Sequence, residues 1–192
     1  MWEHQDLKAN IYLNAAEDRN GNGVWDTAAY PAGDRDGIDQ DNDGYVDNGI
    51  GWNFAINFWN PRGPASTPNS ADHGTACASY FGAVTNNILG MAGTAFNPRI
   101  MPICAGYPGY DNAIYYGYEG ILYAAEHGAQ VISCSWGGEG GYSNFEQEVI
   151  NAVSDAGSLV LAAAGNGGSD GIGDNNDLTP NYPANYKRCL LY

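Results

Sequence analysis

Two short stretches, DRNGNGVWD (18–26) and DQDNDGYVD (39–47), repeat one spacing: oxygen-bearing side chains at positions 1, 3, 5 and 9 and a glycine at position 6. The first offers Asp18, Asn20, Asn22 and Asp26 around Gly23, and the second offers Asp39, Asp41, Asp43 and Asp47 around Gly44. Alternate oxygens converging around a tight glycine turn suit calcium, which takes roughly six to eight hard ligands, and the position-7 carbonyls of Val24 and Tyr45 add to each set. Position 12 holds Ala29 and Ile50 where an EF-hand carries a bidentate glutamate, and neither stretch is flanked by a helical pattern. These are therefore calcium-type loops without being EF-hands. The plainer alternative is a solvated cluster of Asp and Asn turns. On the calcium reading the ion is structural, ordering loops that carboxylate repulsion would otherwise open.

A second kind of chemistry is offered by a histidine and an asparagine. ADHGTACASYFGA (71–83) sets His73 between Asp72 and Gly74 at the head of a run with apolar residues at helical spacing. At a helix start the dipole disfavours the imidazolium and leaves the ring available as a base, with Asp72 as a candidate N-cap. Taken alone, His73 is equally compatible with an ordinary surface or core histidine. SLVLAAAGNGG (158–168) is an apolar strand ending in Gly165 and Asn166, which places an amide at the carboxyl edge of a sheet; a turn residue is the alternative. VISCSWGG (131–138) ends in Ser135, Trp136, Gly137 and Gly138, whose glycines leave the backbone open to an extended peptide.

The elements that must hold these residues follow from periodicity. From about residue 14 to 70 the chain is rich in Asp, Asn, Gly and Pro around the aromatic run GWNFAINFW, which predicts long loops about one short strand. Beyond residue 71 helices and strands alternate. Helices are expected near 74–86, 112–127 and 143–156, and strands near 99–105, 130–135 and 158–163. The second helix presents Ile114, Tyr118, Ile121, Leu122 and Ala125 and stops at Gly128; the third presents Phe145, Val149, Ala152 and Val153 and stops at Gly157. Apolar strands alternating with amphipathic helices predict an α/β fold, a doubly wound parallel sheet with helices on both faces, whose active groups gather at the carboxyl ends of the strands.

Composition narrows the partners. The 192 residues carry a formal charge of −15 with only 7 Lys and Arg, which excludes a phosphate-binding basic face and hence nucleic acid or an anionic membrane. Of the 22 acids, 11 fall in the first fifty residues. No run of about 20 apolar residues predicts a membrane span. The start, MWEHQDL, has no signal-peptide pattern. Cys77, Cys104, Cys134 and Cys189 form no CxxC pair; two disulfides and free thiols both remain open.

HGTACAS, VISCSWGG, AAAGN and YPANY, collinear and at these separations, resemble the subtilisin-like serine peptidases, from about His4 to the last residues. HQDL (4–7) resembles the histidine-x-aspartate-leucine stretch that follows the family's catalytic aspartate, and DQDNDGYVDNGIGWNFA resembles an insert of many bacterial members. The resemblance implies a serine endopeptidase acting on protein or peptide substrates through an acyl-enzyme, with His73 as general base, Asn166 as the oxyanion amide, and Ser135, Trp136 and Gly137 on the strand that pairs with the substrate backbone. An amide N–H suits the oxyanion role because it stabilises developing charge without titrating.

The departures are specific. The family's aspartate would precede Met1, and its glycine-threonine-serine-methionine-alanine motif occurs nowhere in these residues. The expectation is a peptidase domain spanning 1–192, truncated at both ends and inactive by itself. Ala76 replaces a histidine common after HGT, and Trp136 replaces a common leucine, which leaves the preferred substrate side chain open. Two other readings stand beside it: a non-catalytic peptide-binding homologue, and a calcium-dependent adhesion module. Acidity, calcium-type loops and the resemblance point to a secreted or surface protein.

Overall fold

The computed structural model describes residues 2–61, 68–107, 110–167, 170 and 172–192, which divide into two units, Met1–Tyr116 and Gly117–Tyr192. Residues 62–67 of the expected loop region lie outside the described residues.

In Met1–Tyr116 the long loops are as anticipated, and the short strand falls in the aromatic run. A 3-10 turn at Lys8–Asn10 is followed by β1 (Trp52–Asn53), α1 (Pro68–Gly82), β2 (Ile103–Cys104), β3 (Gly106–Tyr107) and β4 (Tyr110–Ile114). β1 pairs in parallel with β2, and β3 pairs antiparallel with β4. The strand expected over 99–105 is broken. Ile100 bridges Ile11 in parallel, its N–H bonding to the Asn10 carbonyl at 2.7 Å, and pairing resumes only at Ile103 because Pro102 has no N–H to give.

The first helix runs over 68–82 rather than 74–86. Proline is well placed at a first helical position, where its missing donor costs nothing. The helix ends at Gly82, where a Cβ would stand 2.4 Å from Ile100 Cδ1, and the Val84 N–H turns away to the Asp6 carbonyl at 2.8 Å. The second helix is also displaced. Residues 110–114 are β4, not helix, and the Tyr115 and Tyr116 N–H groups both donate to the Ala105 carbonyl before α2 (Gly117–Glu126) begins.

In Gly117–Tyr192 the order is α2, β5 (Val131–Cys134), β6 (Gly138–Glu139), α3 (Asn144–Asp155), β7 (Leu159–Ala162), β8 (Asn181–Tyr182) and β9 (Cys189–Leu191). β5, β7 and β9 form a parallel sheet in the order β5-β7-β9, with Cys134 beside Ala162, while β6 and β8 pair antiparallel. Together with its helices, this parallel sheet makes the chain an α/β protein. α2 and α3 pack on each other, α2 on β5 and α3 on β7.

Alternation decides the core of this unit. Ile132, Cys134, Val160 and Ala162 are buried, whereas Val131 and Leu159, on the other side of the same strands, are exposed. α2 buries Gly117, Gly120, Ile121, Tyr123 and Ala124 and stops at Gly128 as expected. α3 starts at Ser143, whose hydroxyl accepts the Glu146 N–H at 3.3 Å, and buries Gln147, Val149, Ile150 and Val153. Phe145 and Ala152, expected on the buried face, point outward, since the burial of Ile150 rotates the stripe. All four cysteines are free thiols; burial first, and then Cys189, pushes Cys134 up to about 12. No helix among the described residues is long and apolar enough to cross a membrane.

Candidate functional site

Residues 14–50 are ordered by side chains rather than by helices or ladders. Asn14 makes the first turn: its Oδ1 accepts the Ala16 N–H at 3.2 Å and its carbonyl accepts the Glu17 N–H at 3.1 Å. Its Nδ2 donates to Asp41 Oδ2 at 2.9 Å and to Asn48 Oδ1 at 3.0 Å, tying this turn to the second acidic loop.

In the first loop Asp18 accepts the N–H groups of Gly21, Asn22 and Gly23 at 2.8–3.2 Å. Asn20 and Asn22 turn their amide nitrogens, not their oxygens, on Asp26 Oδ2, at 3.0 and 2.7 Å. Those bonds hold Asp26 below the usual carboxylate range. The four oxygen residues named by spacing are thus satisfied among themselves and by backbone.

The second loop divides. Asp43 accepts Tyr45 N–H at 2.7 Å and the Asn48 amide at 2.7 Å, and Asp47 accepts the N–H groups of Asp36 and Gly37 at 3.0 and 3.2 Å. Asp39 and Asp41 instead converge with a residue that the spacing missed, Glu17: one oxygen of each carboxylate lies within 4.8 Å of the others. Glu17 is 1% exposed; Oε1 accepts the Gln40 N–H at 2.9 Å and Oε2 is buried with no partner. Burial pushes its carboxyl up to about 7 against that hydrogen bond, and repulsion from Asp41, Asp47 and Asp39 adds to the rise. A spacing rule confined to one loop could not find it; its only signal in the sequence was an acid one residue before the first loop. Gly23 and Gly44 sit at φ +77° and +94°, the left-handed turns that the sixth position of each loop requires.

His73 lies in α1 and is exposed. Because the helix begins at Pro68, His73 is in its second turn rather than at its start, so the dipole argument made for it from sequence lapses. Cys77, one turn further on, places Sγ 3.9 Å from both ring nitrogens.

The remaining candidates all belong to Gly117–Tyr192. Ser135, Trp136 and Gly137 follow the end of β5, and Asn166 follows the end of β7; the two strands are neighbours and finish level. Ala163 and Ala164 N–H groups donate to the carbonyls of Cys134 and Tyr192, which carries the sheet's bonding to within two residues of Asn166. Asn166 is exposed. Ser135 Oγ is 2.8 Å from Tyr192 Oη, and Trp136 stands edge-on to Tyr118 with centroids 5.8 Å apart. Behind Gly137 is Asn181, whose buried Oδ1 has no partner and would be 2.4 Å from a Cβ at position 137. A side chain at Gly137 therefore has no room. The carboxyl edge of β5 and β7 is where a peptide backbone and an amide donor can be presented together.

The subtilase family matches residues 1–191. Thermitase of Thermoactinomyces vulgaris is 39% identical over 140 residues, covering 73% of this chain and 45% of that protein. An extracellular protease of Xanthomonas campestris is 32% identical over 182 residues, covering 87% of this chain and 28% of that protein, and a thermophilic serine proteinase of Bacillus sp. strain AK1 is 33% identical over 140 residues, covering 73% and 31%. The chain spans less than half the length of these relatives. With four family-like segments in order, a parallel α/β sheet and a family match over nearly its full length, this chain belongs to the subtilase family.

Proposed function

We propose that these residues form part of the catalytic domain of a secreted subtilisin-like serine endopeptidase that cleaves protein substrates through an acyl-enzyme. The observation that carries the reading is the level ending of β5 and β7, which sets Ser135–Gly137 and Asn166 on one edge of a parallel sheet. In this reading the substrate backbone lies along Ser135, Trp136 and Gly137. The Asn166 amide donates to the carbonyl oxygen as it becomes an oxyanion, and His73 takes the proton of the attacking hydroxyl and returns it to the leaving amine. Calcium held by the acidic loops orders residues 17–47. Extracellular placement is supported by relatives named as extracellular proteases.

On this reading the 192 residues alone turn over no peptide, because they contain no glycine-threonine-serine-methionine-alanine motif to supply the nucleophile. The test is casein hydrolysis by the coding region extended in both directions. Activity abolished by His73→Ala, and a kcat lowered by orders of magnitude with KM little changed in Asn166→Ala, are the expected results. An extended, folded protein that lacks activity but binds peptide overturns the peptidase reading in favour of a binding homologue.

A further inference from the structure

We propose that Glu17, Asp39 and Asp41 are the carboxylate ligands of a single calcium ion, with Glu17 supplying from outside the second loop the carboxylate that Ile50 cannot supply at its twelfth position. The proposal rests on the calcium reading of the acidic loops and assigns the residues that carry it.

Three observations converge. The first is spacing: one oxygen of each carboxylate lies within 4.8 Å of the other two. Oxygens sharing a calcium at about 2.4 Å can be at most about 4.8 Å apart, and the three oxygens meet that limit. The second is burial. Glu17 is 1% exposed and its buried Oε2 has no donor, an uncommon arrangement in a folded protein that a bound cation would satisfy. Gln40, between the two aspartates, likewise has a buried Oε1 without a partner. The third is the framework. Oε1 of Glu17 is held by the Gln40 N–H, Asp39 by the N–H groups of Asp43 and Gly44, and Asp41 by Asn14, so each carboxylate is oriented before any ion arrives.

The nearby arginines are engaged elsewhere. Arg19 pairs with Asp36 at 2.7 Å, and Arg35 lies over the Trp59 ring at 4.8 Å while donating to the Thr27 carbonyl. Carboxylates drawn from two separate segments suit the irregular sphere of calcium better than the near-octahedral sphere of magnesium. The spacing rule read Asp43 and Asp47 as ligands; neither belongs to the cluster that Glu17, Asp39 and Asp41 form.

The experiment is calorimetric titration of the cation-free 192-residue chain with calcium chloride and, separately, magnesium chloride, with melting temperature measured alongside. The expected result is calcium binding and a calcium-dependent rise in melting temperature, both reduced in Glu17→Gln, with calcium affinity at least about tenfold weaker. Asp174→Asn, an exposed acid in the other unit, keeps the original affinity. Glu17→Gln preserves the acceptor for Gln40; should it not fold, Asp41→Asn at the exposed side of the cluster is expected to show the same loss. Affinity unchanged in a folded Glu17→Gln chain overturns the assignment while leaving calcium in the loops. Absence of any binding by the original chain overturns both. Magnesium bound as tightly as calcium overturns the choice of ion.

Discussion

Met1–Tyr116 and Gly117–Tyr192 solve the same ordering problem with different shares of polar and apolar burial. Of the ten buried polar side chains among the described residues, eight lie in the first unit (Asp6, Asn10, Asn14, Glu17, Asp34, Asp47, Asn48 and Asn53) and two in the second (Gln147 and Ser158). The first adds to an apolar core of Leu7, Trp25, Ile50, Trp52 and Trp59 a lattice of amides and carboxylates that hydrogen-bond the backbone directly. The second is held by an apolar layer of Ile121, Ile132, Val149, Ile150, Val153 and Val160 under a parallel ladder. The lesson concerns sensitivity: apolar burial fails by leaving cavities, whereas a polar lattice fails by leaving a buried group unpaired.

Substitutions can test that contrast. The largest loss is expected from Ile150→Ala, which empties a fully buried position between α3 and the sheet and should cost about 3 kcal/mol, measured by urea unfolding followed by far-ultraviolet circular dichroism. Asn14→Ala should cost about 2 kcal/mol by stripping Asp41, Asn48 and Ala16 of one partner each, and the same titration in the cation-free chain measures it. A larger loss there than in Ile150→Ala would break the comparison. Ser143→Ala, removing the α3 cap, should cost about 1 kcal/mol. Arg188→Ala, which deletes an exposed ion pair with Asp155, should change stability by less than about 0.5 kcal/mol.

One effect has no counterpart at neutral pH. Burial first, and then the hydrogen bond to Glu146, pushes the Tyr186 phenol up to about 12, above its ordinary value near 10.0. A raised folded value means that this contribution is intact below pH 10 and is lost as pH rises towards 12. Melting temperature should fall over that window, and Tyr186→Phe should flatten the fall.

The second unit was the more legible from sequence. β5, β7 and α3 fell within a residue or two of expectation, because alternating and helical apolar periods state both the element and its buried face. Even there Phe145 misled, since an apolar residue in the first turn of α3 can face solvent without penalty to the core. In the first unit local signals competed with tertiary ones. Asn112–Ile114 joined a hairpin instead of the following helix, and α1 began at Pro68, ahead of the histidine that marked it. Glu17 was invisible because what brings it to Asp39 and Asp41 is the Asn14 turn and its cross-loop amide bonds, none of which has a fixed spacing. The carboxyl ends of β5 and β7 were legible; their level pairing was not, nor was the Asn181 side chain behind Gly137, which comes from a strand more than forty residues away.

The edge-on contact of Trp136 with Tyr118 has an optical consequence. Trp2, Trp25, Trp52 and Trp59 all lie in Met1–Tyr116, so Trp136 is the single indole of Gly117–Tyr192, and it sits between Ser135 and Gly137. With those four replaced by phenylalanine, the remaining emission would come from the backbone segment assigned to substrate, excited partly through its tyrosine neighbour. A change of colour or intensity on adding a peptide would then report occupancy of that segment directly, with no label and no need for turnover.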